Sequence, residues 1–483
     1  MQYNTYIFIF LFMPICLAVY FLLNRVHEKA GKILLVLLSL AFYVFSGWVS
    51  FSIFAVSIIL NYLAALLINK TGKRKKVLLA VPIIVNVGLL YYYKYFNFTV
   101  ANLNSILNTS IEFRSMALPL GISFFTFQQI AYLVAVYRNE MENCDLLDYL
   151  AYITFFPKIL MGPIVDPMDL ISQLNNPDLK RINWDNIACG IKVFCFGLFK
   201  KMILADVFSK AVTWGYTNLE AASAMDFVLV AVSFSFQVYF DFSGYSDMAT
   251  GTALMLNITL PINFDSPYKG LSVRDYWKGW HLTLTGFLTK YIYIPLGGSR
   301  KGKLRKYLNI MIVFTISGLW HGADWTFILW GVLNGFFSVL DEMTEKIHNK
   351  IYAPLKWLLN FALWNVFALL FGAPSLWHWK QALIKVFLFE STAVSTGISD
   401  AFSLPVLRFI SDYVPLLNRI TGSSNVFWML VYLLAGFGIC LIPQNNYRSI
   451  KKKTPASMLL ASAAFVLSVV CLSSETTFVY NFF

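Results

Sequence analysis

The sequence predicts an all-α polytopic membrane protein with about eleven to thirteen transmembrane or re-entrant helices. Three observations carry that expectation. Of 483 residues, 58% are hydrophobic, 17% aromatic and only 13% charged, whereas a soluble domain carries about 25% charged residues. Apolar runs of about 20 residues, the length that crosses a bilayer as a helix, recur along the chain. Basic residues stand in short clusters between those runs, KTGKRKK (70–76), SRKGKLRK (299–306) and YRSIKKK (447–453), as the positive-inside rule distributes them in cytoplasmic loops. The net charge of +13 therefore reads as membrane topology. No aromatic-basic interleaving or nucleic-acid motif competes with that reading, and no nucleic-acid partner is expected.

Taken in order, the full-length spans fall at roughly 5–24, 31–48, 50–69, 77–95, 185–208, 225–257, 355–373, 424–443 and 456–473. Shorter or interrupted ones fall at roughly 119–137, 146–166, 305–321 and 324–341. The first run is too long for a signal-peptide core and lacks a basic leader, so it is expected to be the first span. The basic clusters at 25–32 and 70–76 are separated by two spans, so both can be cytoplasmic. The N-terminus and the loop at about 96–118, poor in Lys and Arg, then face outside. HLTLTGFLTKYIYIPLGG (281–298) has helical amphipathic spacing stopped by Pro295, Gly297 and Gly298, which suits an interfacial or re-entrant helix. Without a linker, a low-complexity tract or a repeat, residues 1–483 are expected to form a single membrane domain, with core motifs at about 118–341 and C-terminal helices at about 355–473. Six cysteines without CxxC spacing give neither a disulfide framework nor a zinc site, and no metal is expected.

The polar residues inside these runs are the candidate site. In ISGLWHGADWTFILWG (316–331), the stretch 307–320 would make only about 21 Å of helix. The interruption HGAD follows, with Asp324 as a candidate N-cap for the next helix. His321 beside Trp320 is then an ionisable residue at membrane depth, where such residues are functional candidates. It reads equally as a general base or as an imidazole donating to a neighbouring carbonyl. In SFQVYFDFSGYSDMATG (235–251), Asp241 shares a helical face with Tyr245, and Ser243 with Asp247. Interhelical hydrogen bonding around Gly244 explains them as well as substrate contact does. Asn263, Asp265, Arg274, Asp275 and His281, in NFDSPYKGLSVRDYWKGWH (263–281), are dense polar content that could hold a charged donor or form an ordinary cytoplasmic loop. Lys158, Lys200 and Lys201 are expected to snorkel from helix ends, and His27, His348 and His378 to be solvated.

These stretches also carry a resemblance. LPLGISFFTFQ (118–128), FFPKILMGPI (155–164), YFDFSGYSDMATG (239–251), LPINFDSPYKG (260–270), RDYWKGWHLTLTGFL (274–288), YIPLGGSR (293–300), SGLWHGADWTFILWG (317–331) and the C-terminal FVYNFF resemble the membrane-bound O-acyltransferase (MBOAT) family, in its AlgI-like bacterial polysaccharide O-acetyltransferase branch. The resemblance implies a ring of helices around a thinned centre, with a tunnel joining the two faces. It implies that His321 matches the near-invariant family histidine. It also implies that His281 matches a second position, held by asparagine in other branches and by histidine in the AlgI-like one. The implied activity moves an acyl group, foremost acetyl, from a cytoplasmic thioester across the membrane. The acceptor is an exported polysaccharide, such as alginate, reached through an extracytoplasmic partner protein. His321 is the implied base, acetyl-CoA the donor substrate, no cofactor is bound, and the site is the bacterial inner membrane. Within the class, the alternative is D-alanyl transfer toward teichoic acid from a carrier protein. Outside it stand a transporter, which should show paired broken helices in corresponding halves, and a non-catalytic export scaffold.

Overall fold

The computed structural model describes residues 1–70, 74–141, 145–389, 391–403, 425–443, 445 and 448–472. The C-terminal FVYNFF block and Cys144 lie outside them. Among the described residues there is no β-strand. The helices are, in chain order, α1 Met13–Val26, α2 Glu28–Val44, α3 Trp48–Lys70, α4 Lys75–Leu90, α5 Phe96–Leu107, α6 Ile122–Tyr137, α7 Leu146–Thr154, α8 Pro167–Asn175, α9 Trp184–Phe199, α10 Asp206–Thr217 and α11 Ala224–Met255. They continue with α12 Val273–Trp277, α13 Leu282–Leu288, α14 Lys303–His321, α15 Trp325–Met343, α16 Glu345–His348, α17 Ala353–Gly372, α18 Leu376–Leu388, α19 Thr396–Ala401, α20 Asn425–Leu441 and α21 Pro455–Val470. The chain is an all-α polytopic membrane protein. Among the described residues, five helices are long and apolar enough to cross a bilayer: Phe8–Val26, Trp48–Asn69, Lys75–Leu107, Ala224–Met255 and Ala353–Gly372. Three apolar helices are shorter: Ile122–Tyr137, Asn425–Leu441 and Pro455–Val470.

The chain divides into two compact units, one of residues 1–194 and 246–261, the other of 195–245 and 262–483. In the first unit α1 pairs with α2, and α3 and α4 pack on each other and on α6. Its core is aromatic, with Phe8, Phe12, Phe42 and Phe156 in mutual ring contact. The expected outside loop at 96–118 starts later than the sequence suggested, because a wide helical turn at Tyr91–Tyr95 carries α4 into α5 as far as Leu107. The asparagines that argued for a loop are satisfied locally: Asn102 donates to the Phe98 carbonyl at 2.7 Å, and Asn97 and Asn104 bond the returning backbone at Arg114 and Ile111. The expected span at 146–166 is likewise not continuous. α7 stops at Thr154, and 155–165 runs as turns through Pro157 and Pro163, whose nitrogens cannot donate to a helix. Lys158 in this turn does not snorkel. It is fully buried, donates to Gln128 and stands 4.1 Å from the Tyr152 ring centre.

The second unit holds the segment of α11 up to Tyr245, the hairpin α14–α15, and α17 against α15. The hairpin is tight because its seam is glycine. A Cβ on Gly318 would stand 2.3 Å from the Phe327 carbonyl oxygen, and one on Gly331 2.4 Å from the Phe314 carbonyl oxygen. Only a residue without a side chain lets two helix backbones approach this closely. α14 is longer than the fourteen apolar residues suggested, because its first turn winds out of the basic run at Lys303. Asp324 caps α15 as expected, accepting from the Thr326 amide at 2.9 Å. The expected amphipathic element at 281–298 is α13 followed by a wide turn, Thr289–Tyr293, and it ends where Gly297 and Gly298 take positive φ.

Candidate functional site

His321 is the last residue of α14, and Gly322 behind it is extended. The side chain is buried. Its ring meets Trp330 of α15 edge-on at 5.3 Å between ring centres, Phe371 of α17 at 5.2 Å, and Trp320 at 4.9 Å. It opens onto a narrow apolar cleft, whose other walls are Phe234 and Val238 of α11, Trp280, Trp330, and Trp364, Ala368 and Phe371 of α17. Among the described residues, no Asp, Glu, Lys or Arg side chain lines that cleft. The ring stands at the carbonyl end of α14, which favours positive charge there.

His281 stands at the entry to α13 with φ +43°, a left-handed conformation uncommon for a residue with a side chain. It is fully buried. Three contacts to Asn263 hold the bend. The Leu282 amide donates to the Asn263 carbonyl at 3.0 Å, the Thr283 hydroxyl donates to Asn263 Oδ1 at 3.0 Å, and His281 Nδ1 lies 3.0 Å from the same Oδ1. Phe242 packs edge-on against the ring at 4.6 Å. Burial pushes the pKa of His281 down, so the imidazole stays neutral. The two histidines share a neighbour: the Trp320 ring lies 4.9 Å from His321 and 6.1 Å from His281. Sequence spacing gave no sign that residues forty apart would flank one indole.

The other candidate residues divide. Asn263 and Trp320 sit with the histidines. Ser243 and Tyr245 are buried on α11 in the same unit. Asp241 is half of a buried ion pair: Lys201 Nζ lies 2.7 Å from Asp241 and 2.8 Å from Asp206. Lys201 therefore does not snorkel, and Asp241 is engaged with it. Asp247 falls in the first unit. Asp265 pairs with Arg448 at 2.5 Å, and Asp275 with Lys278 at 2.8 Å. The Arg274 amide donates to Asp341 at 3.1 Å. These three belong to surface and loop anchoring, as does the cap Asp324. The aromatic and aliphatic walls, Phe234, Val238, Trp330, Trp364 and Phe371, were not singled out in the sequence. Each reads there as core, and only the fold makes them a lining. His27 is exposed, and His348 and His378 are half-buried.

A helical membrane protein that buries two histidines around one indole, one of them beside an apolar cleft, brings together residue types that acyl transfer to a hydroxyl draws on. The protein is an O-acyltransferase. It belongs to the membrane-bound O-acyltransferase family, whose model matches residues 79–377. It is similar to the peptidoglycan O-acetyltransferase of Helicobacter pylori, 35% identical over 99% of this chain and 97% of that protein. It is also similar to the probable alginate O-acetylase AlgI of Pseudomonas aeruginosa, 33% identical over 80% of this chain and 75% of that protein. The teichoic acid D-alanyltransferase of Bacillus subtilis matches more weakly, 26% identical over 50% of this chain and 62% of that protein.

Proposed function

We propose that the protein transfers acetyl from acetyl-CoA on the cytoplasmic side to a hydroxyl of an exported glycan, with His321 as the general base. The observation that carries this reading is the setting of His321: a buried imidazole at a helix carboxyl end, opening onto a cleft without charge. In the reaction the hydroxyl oxygen attacks the thioester carbonyl while its proton passes to the imidazole. The carbonyl becomes an oxyanion, then re-forms as the C–S bond breaks, and CoA leaves as a thiolate that recovers the proton from the imidazolium. His281 is the second catalytic histidine of this scheme. The apolar walls hold the acetyl group and exclude water, which would otherwise hydrolyse the thioester. The hydrophobic lining suits an acetyl methyl better than a charged alanyl ammonium. The relatives named for O-acetylation also cover far more of the chain than the D-alanyl one. The match along nearly the whole chain to a peptidoglycan O-acetyltransferase makes cell-wall glycan the first acceptor to test.

Cytoplasmic placement of the basic clusters at 25–32 and 70–76 supports an N-terminus on the outer side of a bacterial inner membrane. Acetyl then leaves on the outer face, through a partner protein that delivers it to the polymer. The test compares ester-linked acetyl in envelope and secreted glycan among wild type, a deletion, and the deletion complemented with His321→Ala at equal membrane level. The proposal expects ester to be lost in the last two. D-alanyl ester lost in place of acetyl would select the sister chemistry, and unchanged ester in both strains would reject an acyltransfer role on these polymers.

A further inference from the structure

The bond between His281 and Asn263 has a direction, and it constrains what His281 can do. The Thr283 backbone amide, which can only donate, lies 3.4 Å from Asn263 Oδ1, and the Thr283 hydroxyl lies 3.0 Å from it. That end of the side-chain amide is therefore the oxygen, an acceptor without a hydrogen. His281 Nδ1, 3.0 Å from the same oxygen, must then carry the hydrogen. In a neutral imidazole the other nitrogen holds only a lone pair. His281 Nε2 is buried and has no hydrogen-bond partner among the described residues. A lone pair buried without a donor is costly.

Resting on the acyltransferase reading above, we infer that Asn263 is a positioning residue that fixes His281 as a hydrogen-bond acceptor, whose Nε2 receives an O–H or N–H of the acceptor substrate next to the reacting hydroxyl and so leaves that hydroxyl's own hydrogen aimed at His321. This assignment separates the two histidines. An oxyanion-stabilising group must offer a hydrogen, and His281 in this tautomer offers none at Nε2. A second base is not needed either. Proton removal falls to His321, at the helix carboxyl end that favours an imidazolium. His281 stands at the amino end of α13, where a positive charge is disfavoured. The left-handed backbone at His281, held by the Leu282 amide on the Asn263 carbonyl, makes one residue responsible for both the ring's location and its hydrogen.

The test reads the tautomer directly. The chain has five histidines, so ¹⁵N-histidine-labelled protein in lipid bilayers gives a spectrum in which His281 is assigned by its loss in His281→Asn. The expected wild-type signature is a hydrogen on Nδ1 and a bare Nε2. Asn263→Asp keeps an oxygen in place and should keep that signature, while Asn263→Leu should give a mixture. The initial rate of acetyl-ester formation on envelope glycan, measured after induction in the deletion strain, should fall about 10–100-fold in Asn263→Leu, the range seen when partners that orient functional histidines are removed. Asn263→Asp should recover most of that rate at equal membrane level. A wild-type His281 with its hydrogen on Nε2 overturns the inference even if no variant folds. So does an Asn263→Leu protein that becomes tautomerically mixed yet forms ester at the wild-type rate. Failure of the underlying acyltransferase reading looks different: the tautomer is as stated, but His321→Ala forms ester normally.

Discussion

Gly318→Ala places a methyl group where the α14–α15 hairpin has no room. The new Cβ would lie 2.3 Å from the Phe327 carbonyl oxygen and 3.0 Å from Gly331 Cα. Ordinary contact between such atoms begins near 3.5 Å, so the helices must part by about 1 Å. Both atoms it meets are backbone, and no rotamer change can absorb the clash. Overpacking of this kind costs about 1–3 kcal/mol, which leaves most of the protein folded. The effect on chemistry should be larger than the effect on stability. His321 sits one turn beyond Gly318 and takes its orientation from Trp330 on the opposing helix. A displacement of about 1 Å at a reacting group costs on the order of 100-fold in rate. Gly286→Ala, in α13 with open space at its Cβ, is the control. There the exchange should be neutral or stabilising, by up to about 1 kcal/mol. Membrane abundance and thermal unfolding report the first quantity, and the rate of acetyl-ester formation the second. A Gly318→Ala protein that is stable and fully active would refute the claim that this seam positions His321.

Lys201→Met should destabilise by about 3–5 kcal/mol, because Asp241 loses its buried partner. Lys201→Met combined with Asp241→Leu should recover a large part of this, as read by thermal unfolding in detergent. His281 gives a pH dependence: burial pushes its pKa down to about 3, below the ordinary value near 6.5 of the unfolded chain. The unfolded state then binds the extra proton first. Stability should be complete above about pH 6.5 and fall as pH drops through the window toward the folded pKa, by up to about 1.4 kcal/mol per pH unit. His281→Asn should flatten that slope, and an unchanged slope would assign it to other groups. Trp330→Ala removes one wall of the cleft and an edge contact to His321. It should slow acetyl transfer more than it lowers membrane abundance.

Much of this architecture was legible because hydropathy and charge act locally. The spans at 50–69, 225–257 and 355–373 correspond to α3, α11 and α17, and the cap at Asp324 followed from the residue type and the apolar run behind it. The errors share a cause. At 96–107, Asn97, Asn102 and Asn104 looked like loop, but each finds a partner within its own helix or the strand of chain returning from it. At 155–165 the apolar composition of a span concealed two prolines and a buried lysine. Lys201 read as snorkelling because its carboxylate partner lies forty residues on, at Asp241. At the site, both histidines were visible as polar residues out of place. What was not visible is tertiary. Which aromatics line the cleft depends on α11, α14, α15 and α17 meeting at His321, and the hold of Asn263 on the His281 ring joins residues at the two ends of the 263–281 stretch.

The central claim is that His321 takes the proton when acyl leaves a thioester for a hydroxyl. It is tested most directly with wild-type and His321→Ala protein in sealed vesicles that also contain membranes of the deletion strain. Acetyl-labelled acetyl-CoA is supplied on the cytoplasmic face, and label in ester linkage to glycan is counted across a pH series. The wild type should transfer label with a rate that falls as a single group protonates on the acid side. His321→Ala should transfer at least 1,000-fold less, about 4 kcal/mol in the barrier, at every pH. Equal transfer by the two proteins, or a variant that keeps the same acid limb, would place the base elsewhere.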